Sequence, residues 1–131
     1  MVELKISTGG RDEFVDVTGK VRAVVAASGV RDGVCRVFVP HTTAAVTINE
    51  GADPAVTRDV IMELDKVIPH SDGYAHREGN SAAHIKASLL GASEMVLVEG
   101  GSLVLGTWQA VYFCEFDGPR ARRLLVQCTE G

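Results

Sequence analysis

Strand-like segments at both ends of the chain, with two longer helical segments between them, limit the folds that this sequence can adopt. Residues Val2–Ser7 alternate apolar and polar side chains, which is typical of a strand with one solvated face. Beyond residue 93 the chain returns to strand-like segments, separated by Gly100-Gly101 and by the turn at 117–119. Antiparallel strands joined by short turns, with helices inserted in the middle, predict an α+β fold.

Three segments carry helix signals. Thr18 is expected to cap a first helix that runs to Ala27. Asp53-Pro54 starts a second helix, because Asp caps well and Pro suits the first helical position, and its apolar residues from Val56 to Ile68 form one stripe. Asn80 or Ser81 is expected to cap a third helix, with an apolar face made of Ile85, Leu89 and Ala82.

The remaining segments are expected to be strands or turns. The predicted strands are Glu13–Val17, Val34–Val39, Thr42–Ile48, Glu94–Val98, Leu103–Leu105, Thr107–Phe116 and Arg123–Cys128. Asn49-Glu50-Gly51 is predicted to be a turn. No repeat or linker divides the 131 residues, so residues 1–131 are predicted to form a single domain.

Composition narrows the class of protein. Seventeen acidic against thirteen basic residues give a formal charge of −4, which disfavours binding to nucleic acid or to an anionic membrane. Arg120, Arg122 and Arg123 are expected to be a solvated strand end. Three cysteines without a CxxC pair are expected to be buried thiols in a reducing cytoplasm. Neither a signal peptide nor a membrane-spanning run is evident, so a cytoplasmic location is expected.

All four histidines, His41, His70, His76 and His84, lie between residues 41 and 91. Histidine is the commonest metal ligand and titrates near neutral pH, although a solvated loop histidine is the more frequent case. His41, His76 and His84 could hold a metal if the loop at 70–80 folds back, but no HExxH motif supports this from spacing alone.

Other polar residues could serve acid–base or anion-binding chemistry. Glu50 or Asp53, beside Asn49, could be a general base, but a helix cap and a surface carboxylate are the more common roles. Lys86 could hold a phosphate or could be a solvated helical lysine, and the N-terminus of the third helix could bind an anion. The segment Gly106-Thr107-Trp108-Gln109 could be core packing or a pocket wall.

Three stretches together resemble a known family. They are His41-Thr42-Thr43-Ala44 with Asn49-Glu50 and Asp53-Pro54; Tyr74-Ala75-His76 with Ala83–Ser88 and Gly91; and Ser93 to Val111, which includes Gly106-Thr107-Trp108-Gln109. On these residues the chain resembles the YjbQ family, also called uncharacterised protein family 0047. His70 does not belong to this pattern.

The resemblance implies an antiparallel β-sheet sandwich with about three helices that assembles as a homotrimer. It also implies a small-molecule site near the subunit interface and a secondary thiamine-phosphate synthase activity, which joins hydroxymethylpyrimidine diphosphate to thiazole phosphate. The catalytic or binding residues that it implies are His41, Asn49, Glu50, Asp53, Lys86 and Gln109. His41, His76 and His84 would be the metal ligands, and nitrogen donors favour zinc over magnesium. The alternative is a non-catalytic trimer that binds a metal or a metabolite.

Overall fold

The computed structural model describes all residues from 1 to 131. It contains eight strands and three helices. In chain order they are β1 (Val2–Ser7), β2 (Glu13–Asp16), α1 (Thr18–Ser28), β3 (Gly33–Phe38), β4 (Ala44–Glu50), α2 (Pro54–Val67), α3 (Ser81–Leu90), β5 (Ser93–Glu99), β6 (Ser102–Leu103), β7 (Gln109–Glu115) and β8 (Ala121–Glu130).

Two antiparallel sheets pack face to face. One has the strand order β1-β8-β3-β5-β6 and the other the order β2-β7-β4. Period-two alternation points one face of each strand into the shared core, so that Val37 of β3 and Leu124 of β8 meet Val46 of β4 and Phe113 of β7. The valines of α1 join the same core. The predicted α+β class is therefore confirmed.

The three-stranded sheet is covered on its other face by helices. Ala83 and Ala87 of α3 lie in a second apolar cluster with Ala45, Tyr112 and Cys114 of the sheet, and Leu64 of α2 packs against it. Small side chains let the helix approach the sheet closely. The structure therefore has three layers: a five-stranded sheet, a three-stranded sheet, and the pair α2 and α3.

The predicted apolar face of α3 is confirmed for Ala82 and wrong for Ile85 and Leu89. Ile85 is 39% exposed and Leu89 is 66% exposed, whereas the buried residues of this helix are Ala82, Ala83, Lys86 and Ala87. The side of α3 that packs against Ala45 carries Ala83 and Ala87, and the larger Ile85 and Leu89 are left exposed. The apolar stripe that begins at Val56 is only partly covered, since Ile68, just beyond the end of α2, is its one buried residue.

Several predicted boundaries also differ. The turn predicted at Asn49-Glu50-Gly51 is partly strand, because Glu50 pairs with Gln109 across the sheet. The helix that was expected to be capped by Thr18 instead begins at Thr18, whose hydroxyl accepts a hydrogen bond from the Val111 amide. The predicted strands at 103–105 and 107–116 are shorter, covering Ser102–Leu103 and Gln109–Glu115.

None of the three helices has the length and apolar character needed to cross a lipid bilayer.

Candidate functional site

A pocket of about 630 Å³ opens where α3, β8 and the β3–β4 connection meet. The connection runs through Val39–Thr43, so the end of β3 and the start of β4 form one wall. The polar side chains that line the pocket are those of His41, Thr42, Thr43, Glu78, Asn80, His84, Asp117, Arg120 and Arg122. His41 and His84 also line an adjoining pocket of about 330 Å³.

His41 is held in place by the backbone of β8. Its Nε2 accepts a hydrogen bond from the Arg123 amide at 3.0 Å. Burial lowers the pKa of His41, and the positive charges of Arg122 and Arg123 lower it further. The neutral ring therefore predominates near pH 7, and because Nε2 accepts, its proton is on Nδ1.

Behind His41, a buried ion pair forms the floor of the pocket. Arg122 donates through Nε and Nη2 to the Glu115 carboxylate, and Nη2 also reaches Thr43 Oγ1 at 2.8 Å. The Thr8 hydroxyl donates to Glu115 Oε1 at 2.8 Å. The Arg122 Nη1 group has no hydrogen-bond partner in the chain, which leaves it available to a ligand.

Glu115 is fully buried, and its lowered pKa keeps the carboxyl ionised at neutral pH. Burial alone would raise the pKa of its carboxyl, but hydrogen bonds from Arg122, the Asp117 amide and Thr8 outweigh burial and hold this pKa below the ordinary value of 4.5. A stable carboxylate in turn fixes the orientation of the Arg122 guanidinium.

The N-terminus of α3 forms the opposite side of the pocket. Asn80 precedes the helix but makes no capping hydrogen bond with its side chain. Its Nδ2 instead donates to Asp117 Oδ2 at 2.9 Å, and Arg120 Nη2 donates to the same oxygen at 3.2 Å. Asn80 Oδ1 is buried without a partner. Oδ2 of Asp117 therefore accepts two hydrogen bonds, while the first-turn amides of α3 lack a side-chain cap.

His76 approaches the pocket from the loop before α3. Its ring is 5.4 Å from the His84 ring, centre to centre, and nearly perpendicular to it. The carboxylate of Glu78 lies 3.9 Å from His76 Nε2. Of the three predicted metal ligands, His76 and His84 are in contact, whereas His41 only lines the same two pockets as His84. No group of three or more His, Cys, Asp or Glu side chains is placed to hold a metal ion.

The other site residues implied by the resemblance lie elsewhere. Asn49 and Glu50 end β4 and Gln109 begins β7, whereas His41 precedes the start of β4. Seven residues of strand separate the two ends, which is roughly 20 Å at about 3.3 Å per residue. Asp53 caps α2 by accepting from the Ala55 amide at 2.9 Å. Gln109 Oε1 accepts from the Gly106 amide at 2.7 Å.

Lys86 is buried, contrary to the expectation of a solvated lysine. Its Nζ donates to Asp12 Oδ2 at 2.8 Å and to Asp65. It also lies 5.8 Å from the centre of the Phe116 ring. These contacts tie α3 to α2 and to the β1–β2 connection. Within one chain, Lys86 is therefore engaged in packing and does not line the His41 pocket.

Trp108, within the motif 106–109, is not part of the core, because 64% of its surface is exposed. It lies on a turn next to β7, and its carbonyl accepts a hydrogen bond from the Gly51 amide at 2.8 Å. This motif therefore belongs to the end of the sheet that carries Glu50, not to the end with His41.

Sequence reasoning missed Arg122 and Glu115, although a signal was present. Arg122 has the same strand parity as the buried Leu124 and Val126, so alternation alone points it inward. Glu115 follows the inward-pointing Val111 and Phe113 in the same way. Two side chains of opposite charge that alternation places on the inner face predict a buried ion pair. The expectation of a solvated strand end is therefore wrong for Arg122.

The fold and the pocket together define a small α+β sandwich protein with a histidine- and arginine-lined pocket. A family model described as UPF0047 protein YjbQ-like matches residues 2–131. The chain therefore belongs to the YjbQ (UPF0047) family.

Known relatives match over nearly their full length. UPF0047 protein YugU of Bacillus subtilis is 49% identical, over 95% of this chain and 95% of its own length. UPF0047 protein MJ1081 of Methanocaldococcus jannaschii is 46% identical, over 97% of this chain and 92% of its own.

Solved structures agree with the fold. An uncharacterised YjbQ/UPF0047 family protein from Clostridium acetobutylicum has a TM-score of 0.97 and 53% identity, covering 98% of this chain and 100% of that one. A YbjQ-like protein of unknown function from Sulfolobus solfataricus has a TM-score of 0.95 and 34% identity, covering 99% and 96%.

The buried carboxylate predicts an acid-sensitive fold. Because the pKa of Glu115 is lowered on folding, its contribution to stability is present above the unfolded-state value of 4.5 and is lost as pH falls through the folded-state value. Glu115→Gln should lower the free energy of unfolding at neutral pH by about 3 kcal/mol, since it leaves Arg122 without its counter-charge. Glu115→Gln should also make the free energy of unfolding fall less steeply as the pH is lowered, as measured by urea unfolding at a series of pH values. Glu63→Gln, at an exposed site on α2, is the control and should change neither.

Proposed function

We propose that the chain is a small-molecule enzyme that binds a phosphorylated or anionic metabolite in the pocket between His41 and His84. The observation that carries this proposal is the surplus of hydrogen-bond donors. Arg122 Nη1 and the amides of Ser81 and Ala82 have no hydrogen-bond partner in the chain, whereas the carboxylate of Glu115 and Oδ2 of Asp117 already accept hydrogen bonds. A phosphate group supplies the acceptor oxygens that such donors require.

The histidines provide groups for proton transfer beside that anion site. His41 is neutral and presents Nδ1–H as a donor. The ring nitrogens of His84 have no hydrogen-bond partner in the chain, so His84 is the residue that we assign to accepting or donating a proton. Arg120 and Arg122 would stabilise charge that develops on a departing phosphate.

Thiamine-phosphate synthesis is proposed as a secondary activity of this site. The reaction joins hydroxymethylpyrimidine diphosphate to thiazole phosphate and releases diphosphate, so a donor-rich pocket would favour the leaving group. Its support is the family membership together with the chemistry of the pocket, and both substrates carry phosphate. The alternative is a protein that binds a metabolite at the same place without turnover.

Binding of inorganic diphosphate tests the location of the site. Isothermal titration of the wild type should show saturable binding. His84→Ala and Arg120→Gln should each weaken it at least tenfold, as expected for the loss of a hydrogen bond to a charged group, about 1.5–3 kcal/mol. His70→Ala is the matched control, because His70 is an exposed histidine outside the pocket. Equal weakening by His70→Ala would contradict the assignment.

The same variants separate an enzyme from a binding protein. Thiamine phosphate formed by the wild type from the two phosphorylated substrates, and lost in His84→Ala, would support the activity. Saturable diphosphate binding without product would favour the non-catalytic alternative. A loss of binding in Glu50→Gln would show that the distant end of β4 also contributes to the site, through a second copy of the chain.

Zinc binding is a separate proposal that rests on the contact between His76 and His84. These two rings supply nitrogen ligands, but zinc needs at least a third ligand, and within one chain His41 lines a pocket with His84 and not with His76. Elemental mass spectrometry of untagged protein should find about one zinc per chain, lost in both His76→Ala and His84→Ala. Protein that stays metal-free after incubation with zinc would exclude this site, and the anion proposal would stand without it.

A homotrimer is proposed as the assembled form. The outer face of the five-stranded sheet exposes Phe38, Met95 and Leu97, which are 47%, 58% and 57% accessible. A face of this kind is typical of a subunit interface. Sedimentation equilibrium should give three times the chain mass of 13.9 kDa, and Met95→Glu should dissociate the assembly. Met62→Glu, on an exposed part of α2, should leave it intact. A wild type that sediments at the single-chain mass would refute the trimer.

A further inference from the structure

Two of the three free cysteines face each other across the five-stranded sheet. Cys35 of β3 is the direct register partner of Cys128 of β8. By strand alternation, both side chains point to the inner face of the sheet. Cys35 is fully buried there, and Cys128 is partly exposed at the edge of the core. Cys114 lies in the other sheet and within the second apolar cluster, away from this pair.

The hydrogen-bond pattern shows which kind of pair this is. The Gly131 amide donates to the Asp32 carbonyl, so positions 32 and 131 form a hydrogen-bonded pair. Hydrogen-bonded and non-hydrogen-bonded pairs alternate along an antiparallel ladder. Positions 33 and 130 are then a non-hydrogen-bonded pair, and so are Cys35 and Cys128, two steps further along.

This placement suits a disulfide bond. Residues in a non-hydrogen-bonded pair have Cα atoms about 4.5 Å apart and side chains that approach closely. Disulfides span Cα separations of about 4.4–6.8 Å, so the two sulfurs can join without movement of either strand. No other two cysteines in the chain are register partners.

We propose that Cys35 and Cys128 are a redox-active pair that forms a reversible disulfide when the protein meets a two-electron oxidant of the peroxide class. The product ties the last residues of β8 to β3. It also closes a covalent loop from residue 35 to residue 128, which restricts the unfolded chain. Because β8 carries Arg122 and the amide that holds His41, this bond protects the strand on which the pocket depends.

The accessibility of the two sulfurs fixes the order of steps. Cys128 is the partly exposed residue, so its thiolate attacks the peroxide oxygen, the O–O bond breaks, and Cys128 becomes a sulfenic acid as the first water leaves. The Cys35 sulfur then attacks the Cys128 sulfur and loses its proton, and the S–O bond breaks to release a second water. One peroxide is reduced to two waters and two thiols are oxidised to one disulfide.

The environment of Cys35 agrees with the second role. Burial, together with the neighbouring Cys128, raises the pKa of Cys35 to about 12. Cys35 therefore stays a thiol and does not react with peroxide by itself. An external dithiol restores both thiols by exchange at the more exposed sulfur.

Peptide mapping of oxidised protein tests the proposal. The wild-type protein, treated with a modest excess of hydrogen peroxide and then alkylated after denaturation, should lose two hydrogens in intact mass and yield a linked peptide pair containing Cys35 and Cys128. Its melting temperature should rise by several degrees, and dithiothreitol should reverse both changes. Cys128→Ser should abolish the linkage and the shift, whereas Cys114→Ala, the matched control, should retain them.

Three outcomes would overturn the proposal. They are a Cys35 that remains alkylatable while Cys128 is oxidised, a Cys128 linked to Cys128 of a second chain, and a temperature shift that survives in Cys128→Ser. Mapping uses the wild-type protein alone, so the result stands even where a variant folds poorly.

Discussion

The buried ion pair between Glu115 and Arg122 connects the parts of this structure that matter most. Glu115 ends β7 in the three-stranded sheet and Arg122 lies on β8 in the five-stranded sheet, so their hydrogen bonds join the two layers of the sandwich. Thr8 and Thr43 bring the end of β1 and the start of β4 to the same pair. An isolated buried charge is costly, so each partner requires the other. The pocket wall is built on this contact.

The same pair gives the pocket its chemical character. With Glu115 ionised, Arg122 is fixed in orientation and its remaining donor group is free for a ligand. Its charge also helps keep His41 neutral, and the adjacent Arg123 amide fixes the tautomer of that ring. A structural contact and a binding surface therefore share one guanidinium, which is why a change at Glu115 would affect stability and site together.

The polar residues that the family resemblance implies lie in two groups at opposite ends of β4. His41 and His84 line the same pocket because the β3–β4 connection and α3 both reach the same end of the three-stranded sheet. Asn49, Glu50 and Gln109 gather at the other end. Strand geometry keeps these groups roughly 20 Å apart in a single chain. Any chemistry that uses both ends requires a second copy, which links the proposed trimer to the proposed activity.

Alternation and capping signals in the sequence determined the strands, the three helices and the α+β class, because these depend on local periodicity and on residues such as Pro54 and Gly29. The same alternation indicates that the side chains of Arg122 and Glu115 point into the core. The tertiary structure alone decided that α3 buries Lys86 and its alanines while exposing Leu89, since the space beside Ala45 is set by the sheet. It alone placed His41 and His84 in one pocket and made Cys35 the partner of Cys128, because tertiary packing and strand register are not specified by any local pattern.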